Sequence, residues 1–440
     1  MQVGVVRFPS RIFRFPWFIF LLAATITLDA ATAADPFAEN IRKTGPLPPE
    51  QEQKQFHLPP GFEIQLIVAE PDIGKPMNMA FDACGRLWLT QSREYPFAAP
   101  TNQPGRDQIK VLTDFDPDGR ALKITTFAGD LNVPIGRMPC RDGVIAFSIP
   151  NIYYFADTNG DGYADTKEFV LGRFGFEKDT HGLTSSFRRG YDGWIYADHG
   201  FNNDNTLTAT DGRSIKMNTG NTYRFKPDGS RVEQFTWGQV NPFGLMFDPL
   251  GDLWSADCHS SPVYQLLRGA YYPSFGKAHD GLGYGPNICA HQHGSTAIAG
   301  MVFYAAENFP PEFRGNTFVG NVMTCRINRD SYLEYGSTRI AKEESDFLRC
   351  DDPWFRPVVL QLGPDGRFTS QISKIGSSVI TKSRLTIPAA TATAAGSGAS
   401  GIPESQAPRN QPGEFWRSRL TWAASSPNSA TPTSLGACWP

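Results

Sequence analysis

Short apolar stretches, each introduced by a turn with Asp and Gly and most of them carrying an aromatic residue, recur along the chain at a regular interval. Four are plain: DACGRLWL from Asp82, DGWIYA from Asp192, DPLGDLWS from Asp248, and the pair Asp365–Gly366. In each, the Asp side chain can accept local backbone N–H groups, and the Gly supplies the left-handed residue before the next strand. The aspartates are separated by 110, 56 and 117 positions, or two, one and two units of roughly 56 residues, within the range of propeller blades. Weaker matches fall where the missing units belong, RDGVIAF from Arg141 and FRGNTFV from Phe313. Units of short strands that cannot each bury both faces alone, repeated in this way, predict an all-β, six-bladed β-propeller.

The register also aligns loops. Three positions after the turn glycine stand Trp88, Tyr196 and Trp254, and just beyond them Arg93, His199 and His259. Equivalent positions of neighbouring blades converge on one mouth, so these three are expected at the same end of the channel.

After Gly366 the pattern fails. Phe368 fits, but Thr369 occupies the aromatic position, and the stretch 367–440 has no Asp and no Tyr and is rich in Ala, Ser, Thr and Pro. An incomplete last blade is expected, followed by a tail that is either disordered or the product of a reading-frame shift just after Gly366. At the other end, Arg7, Arg11 and Arg14 precede an apolar run over 15–28 and a small-residue site at Ala31–Ala33. This reads as a signal peptide over 1–33. A linker over 34–54 and a propeller domain over 55–366 follow, in a periplasmic or secreted protein. Membrane association through an uncleaved N-terminus is the alternative.

Composition sharpens the class. Forty-two Gly, 35 Pro and 12% aromatic residues suit a β chain dense in turns. A net charge of −3 argues against a nucleic-acid partner. Seven scattered cysteines form no C-x-x-C, which leaves out a zinc ribbon and a C-x-x-C-H haem attachment.

The most specific local motif is DTNGDGYADTKE over 157–168. It sets Asp157, Asn159, Asp161, the Tyr163 carbonyl, Asp165 and Glu168 at the ligand positions of an EF-hand loop, with Gly162 at the sharp turn. Strand-like flanks place it at the tip of a β-hairpin, where a calcium ion would have a structural role. Six of the seven histidines lie between 181 and 293. His291 and His293 offer two imidazoles to a metal, but no carboxylate at a recognisable spacing completes that set.

DTHGLT (179–184) and GQVNPFGL (238–245) resemble the soluble quinoprotein glucose and sorbosone dehydrogenases. With DTNGDG (157–162), ADCHSSPVYQLLRG (256–269), HGSTAIAG (293–300) and DDPWFRPV (351–358), residues 55–366 are similar to the planctomycete-type "membrane-bound dehydrogenase" propeller domain. The resemblance implies an oxidoreductase using pyrroloquinoline quinone on a sugar or alcohol. His181 would be the general base, its imidazole suited to proton transfer near neutrality. Gln239, Asn241 and Arg356 would meet the cofactor, and Arg93, His199, His259 and His293 would line the mouth. Electrons would pass to a separate acceptor such as a cytochrome. Where the resembling enzymes carry an Arg, this chain has Val240, and 320–325 holds no Lys. Two alternatives stay open: a non-catalytic, calcium-stabilised propeller that binds a glycan or protein, and a calcium-dependent lactonase-like hydrolase.

Overall fold

One turn underlies the repeat. In the computed structural model, which describes residues 44–140, 142–274, 283–295, 297–372 and 379–385, Gly85, Gly193, Gly251 and Gly366 all have φ between 71° and 90°. A side chain would resist that conformation, and glycine adopts it freely. Each glycine donates its N–H to the carbonyl three residues back, on Asp82, Gly190, Asp248 and Gly363, at 2.9–3.1 Å. The aspartate enters from either of two positions, three before the glycine (Asp82, Asp248) or directly before it (Asp192, Asp365). The repeat is therefore in register by its glycines.

The aspartate also explains the aromatic residue. Oδ1 takes turn N–H groups, those of Cys84 and Arg86 on Asp82 and those of Leu250 and Asp252 on Asp248, all at 2.9 Å. Oδ2 accepts from the polar tip of the aromatic side chain: Trp88 Nε1 at 2.8 Å, Tyr196 OH at 3.0 Å and Trp254 Nε1 at 3.2 Å on Asp82, Asp192 and Asp248. All three rings are buried. One carboxylate thus closes the turn and satisfies the one polar atom of a core aromatic, as burial of an indole or phenol requires.

Antiparallel strands follow each turn. Pro76–Phe81, Leu87–Gln91, Asp107–Phe115 and Ala121–Leu131 make one blade, and Arg137–Cys140, Gly143–Ser148, Asn151–Ala156 and Thr166–Leu171 the next. Ser185–Arg189, Ile195–His199, Asn221–Phe225 and Val232–Gly238 form a third, and Ile298–Phe303, Thr317–Asn321, Arg326–Tyr335 and Leu348–Cys350 a fourth. The last blade is Pro357–Leu362, Phe368–Ile372 and Val379–Leu385, with Phe62–Ala69 from the other end of the domain as its outermost strand. The first strands of consecutive sheets neighbour one another in a closed ring. Core clusters fill the spaces between sheets, as where Met138 and Phe147 share a cluster with Phe187, Tyr223 and Phe225. Helix among the described residues is confined to single turns, and none is long and apolar enough to cross a membrane.

Two expectations are corrected. The propeller has five complete blades rather than six, because Pro242–Phe247, Leu253–Asp257 and Tyr264–Leu266 form a sheet of only three strands. The physical reason lies just after Leu266. The chain leaves that sheet, and Tyr271–Tyr272 pairs in parallel with Val232–Gly238 of the preceding blade. The last blade, expected to break after Gly366, instead has four strands, since Phe368–Ile372 and Val379–Leu385 pair with each other and with their neighbours. The signal segment 1–33 and residues 386–440 lie outside the described residues.

Candidate functional site at the propeller mouth

The start of each innermost strand pairs with the end of the next, as Pro76 with Gln91, Ser185 with Asp198, and Pro242 with Asp257. The loops at those ends share one rim. On it, Tyr95 follows Leu87–Gln91, His181 precedes Ser185–Arg189, Asn241 precedes Pro242–Phe247 and Cys258 follows Leu253–Asp257.

These residues meet. The Tyr95 hydroxyl is hydrogen-bonded to His181 Nδ1, with the rings edge-on, 5.2 Å between centroids. Thr180 Oγ1 donates to the Pro96 carbonyl, which ties the two loops together, and the Asp179 carboxylate accepts the His181 N–H at 2.8 Å. Asp257, buried, fixes the other side: it accepts the N–H groups of Val240, Asn241 and His259 at 2.7, 3.0 and 3.2 Å, and the Ser260 hydroxyl at 2.6 Å. That clamp sets Asn241 against Cys258, whose N–H donates to the Asn241 carbonyl at 3.4 Å. Gly200 allows the two halves to close, because a methyl there would stand 2.2 Å from Asn241 Oδ1 and 2.5 Å from Gly182 Cα.

Two groups of this cluster, Tyr95 and Cys258, are held in their protonated forms. Burial pushes the Tyr95 phenol up to about 12, and Asp179 and Cys258 add to the rise. Burial likewise raises the Cys258 thiol to about 12, with Asp257 reinforcing it. His181 itself is exposed.

Beneath the rim, Arg137 opens its innermost strand with no exposed surface. Its Nη2 donates to Asn78 Oδ1 at 3.2 Å, while Nε and Nη1 find no partner among the described residues. Burial, and then the nearby Arg188, hold the Arg137 guanidinium well below its usual range. Burial lowers Arg188 to about 10 against the pull of Asp198.

The remaining sequence-derived candidates divide. His259 is exposed on the loop after Leu253–Asp257, with its N–H on Asp257. His199 does not line the mouth: it is buried, Nδ1 at 2.9 Å from the Thr219 carbonyl and Nε2 bonded to the Asn205 amide. Loss of solvent lowers its pKa to about 4, so it is a neutral core residue. Arg93 is exposed in a groove of about 540 Å³ shared with Glu70, Lys75 and Lys110. His293 is buried against Asp330 and Glu343. Gln239 is buried too, donating from Nε2 to Ser255 Oγ at 3.2 Å. Arg356 spends a guanidinium N–H on the Val322 carbonyl.

The 157–168 loop caps a β-hairpin, as its flanks predicted. Asp157 accepts the N–H groups of Gly160, Asp161 and Gly162 at 2.6–3.2 Å. Asp165 accepts from Thr158 and Asn159. Asn159 and Asp161 each take a backbone N–H two residues on, Tyr163 is exposed, and Glu168 stands on the second strand opposite Tyr154.

Sequence reading missed Tyr95, Arg137 and Arg188. An arginine opening the apolar strand Arg137–Cys140 was the one available hint.

No curated protein sequence matches the chain. Among solved structures, the fold is similar to the PQQ-bound form of aldose sugar dehydrogenase from Streptomyces coelicolor, with 16% identity and TM-score 0.51 over 74% of this chain and 99% of that one. It is similar also to the holo form of the pyranose dehydrogenase PQQ domain from Coprinopsis cinerea, at 14% identity and TM-score 0.50, covering 75% and 97%. A third is a Trichoderma reesei structure of Carbohydrate-Active Enzymes Family AA12, at 14% and 0.50, covering 76% and 98%. These likenesses are of fold. The family profile described as a domain of unknown function, DUF7133, matches residues 48–368, and the chain belongs to that family.

Proposed function

We propose that the rim around Tyr95, His181, Asn241 and Cys258 is the active site of an exported sugar or alcohol dehydrogenase that works with a bound pyrroloquinoline quinone. The three-stranded sheet would stand as its sixth blade. The observation that carries this reading is the Tyr95–His181 pair. The neutral Tyr95 phenol can donate or accept, and with His181 carrying its proton on Nδ1 the phenol oxygen is the acceptor. In that tautomer Nε2 keeps its lone pair on the exposed side and can take the hydroxyl proton of a substrate. Nδ1–H stays bonded to Tyr95 as charge develops on the ring, which holds the imidazole in place.

The residues present fit a polyanionic quinone. The unpartnered N–H groups of Arg137, with Arg188 beside it, offer the cation that Val240 does not. Charge-assisted hydrogen bonds to a carboxylate would satisfy them. Arg137 and Asn241 would hold the group, and bound there it would supply a two-electron acceptor for hydride. Electrons would leave to a separate carrier such as a cytochrome. A calcium ion in the 157–168 loop would brace the hairpin, since the loop lies apart from the rim residues.

The test is quinone binding by absorbance together with dye reduction on a panel of sugars and alcohols. His181→Ala should lose turnover by about 10²- to 10⁴-fold while keeping quinone binding and melting temperature, and Tyr95→Phe should lose less. Full turnover in His181→Ala, or neither binding nor reduction in the unaltered protein, would overturn the reading. The second outcome would favour a module that binds a glycan or protein.

A further inference from the structure

Outside the rim, the segment between the three-stranded sheet and Ile298–Phe303 brings Cys289, His291 and His293 against Asp330 of the strand Arg326–Tyr335. His291 Nε2 lies 2.7 Å from Asp330 Oδ1, and His293 Nε2 lies 3.0 Å from Asp330 Oδ2. One ligand atom from each of the three residues lies within 4.8 Å of the other two. The Asp330 and His293 side chains have no exposed surface, and His291 keeps only 20%. Cys289 Sγ is 3.5 Å from His291 Nε2. On its far side, His293 Nδ1 faces Glu343 Oε1 at 3.2 Å.

The donor geometry suits a cation. His291 and His293 converge by Nε2 on the two oxygens of one buried carboxylate, and Glu343 stands at Nδ1 of His293 on its far side. An imidazolium at 293 bridges the two carboxylates; a neutral ring with Nδ1–H on Glu343 presents its Nε2 lone pair to a cation shared with Asp330. A carboxylate orienting a histidine from behind, with the other nitrogen on the metal, is the usual arrangement of a metal-bound imidazole.

We propose that His291, His293 and Asp330 bind a divalent transition ion of the zinc class, with Glu343 orienting His293. Two imidazoles and a carboxylate suit zinc with a fourth position open, its bonds to N and O being about 2.0–2.2 Å. Ligand atoms on such a tetrahedron lie roughly 3.4 Å apart, so the two His–Asp330 contacts need open by less than about 1 Å. A groove of about 530 Å³, lined by His293, Arg326, Asn328, Glu343 and Asp346, runs beside the cluster and gives an ion a way in.

The test uses the full chain, stripped with a chelator and titrated with zinc chloride, with bound metal counted after gel filtration. One zinc per chain is expected. His291→Ala, at the most exposed of the three ligands, should weaken binding by about 100-fold or more, and Glu343→Gln by about 10- to 100-fold. Loaded with cobalt(II), the protein should show the visible absorption of a tetrahedral site, lost in His291→Ala. No retained zinc, or equal zinc affinity in folded His291→Ala, would overturn the proposal. Sugar oxidation enters none of these readouts, so their failure is separate from that of the proposed dehydrogenase.

Discussion

The turns at Gly251 and Gly366 share a backbone and differ in what the next strand brings to it. In both, the glycine donates its N–H three residues back, and the N–H of that earlier residue donates the return bond across the turn, Asp248 to the Asp252 carbonyl and Gly363 to that of Arg367. Three positions on, the first turn has Trp254, fully buried, with Nε1 on Asp248 and its ring 5.7 Å from Phe303 and 4.9 Å from Tyr332. The second has Thr369, equally buried, with no partner for Oγ1 among the described residues. A turn needs only its glycine and a few local bonds. A blade gains its stability from the aromatic that the turn aspartate holds, and the chain can keep the first without the second.

Replacing Trp254 should have the largest effect. Trp254→Ala removes a ring packed among Phe303, Tyr332 and the Arg339 guanidinium. It leaves a cavity, and is expected to cost about 3–5 kcal/mol, measured by urea denaturation. A loss under about 1 kcal/mol would mean that the aromatic position carries little of the blade's stability, and the contrast with Thr369 would collapse.

Asp248→Asn isolates the carboxylate. Asp248 is buried, and besides Trp254 it pairs with Arg339 Nη1 at 3.0 Å. Asparagine keeps one oxygen for the turn but loses the charge that answers Arg339, a loss of about 2 kcal/mol. A double-mutant cycle with Arg339→Met checks the assignment. If the two losses simply add, the pair contributes nothing and the turn bonds alone account for the aspartate.

Local features of this architecture were legible in the sequence because their physics is local. The turn glycine, its aspartate and the aromatic lie within seven positions, and the bonds within the 157–168 loop span no more than seven. DTHGLT and GQVNPFGL drew attention to His181 and Asn241, which stand just before the strands Ser185–Arg189 and Pro242–Phe247. What escaped depends on partners far along the chain. The bond from Tyr95 to His181 spans 86 positions, and those from Asp330 to His291 and His293 span 39 and 37. His199 was assigned to the mouth by register, but register fixes height along a strand and not which neighbours close over it. Thr219 and Asn205 do so here. The missing strand of the 242–266 sheet was likewise invisible, since Tyr271–Tyr272 reads as a strand and only pairing shows that it joins the preceding blade.

Thr369→Val gives the smallest effect and the finest test of the contrast. Valine has the shape of threonine without the hydroxyl, and it favours a strand. Strand alternation sends Thr369 to the face opposite Phe368, whose ring packs at 5.5 Å from both Phe318 and Phe347. The substitution therefore leaves that aromatic cluster untouched. Burying a hydroxyl without a partner carries a desolvation cost of about 1–3 kcal/mol, so its removal should stabilise the protein by about 1 kcal/mol and raise the denaturation midpoint with no change in slope. At Thr90, buried in the first blade with Oγ1 at 3.5 Å from the Asn78 carbonyl, the same change should be close to neutral or destabilising. Equal responses at the two sites would mean that Thr369 is no less well satisfied than Thr90, and that the last blade lacks its aromatic but is not otherwise short of stability.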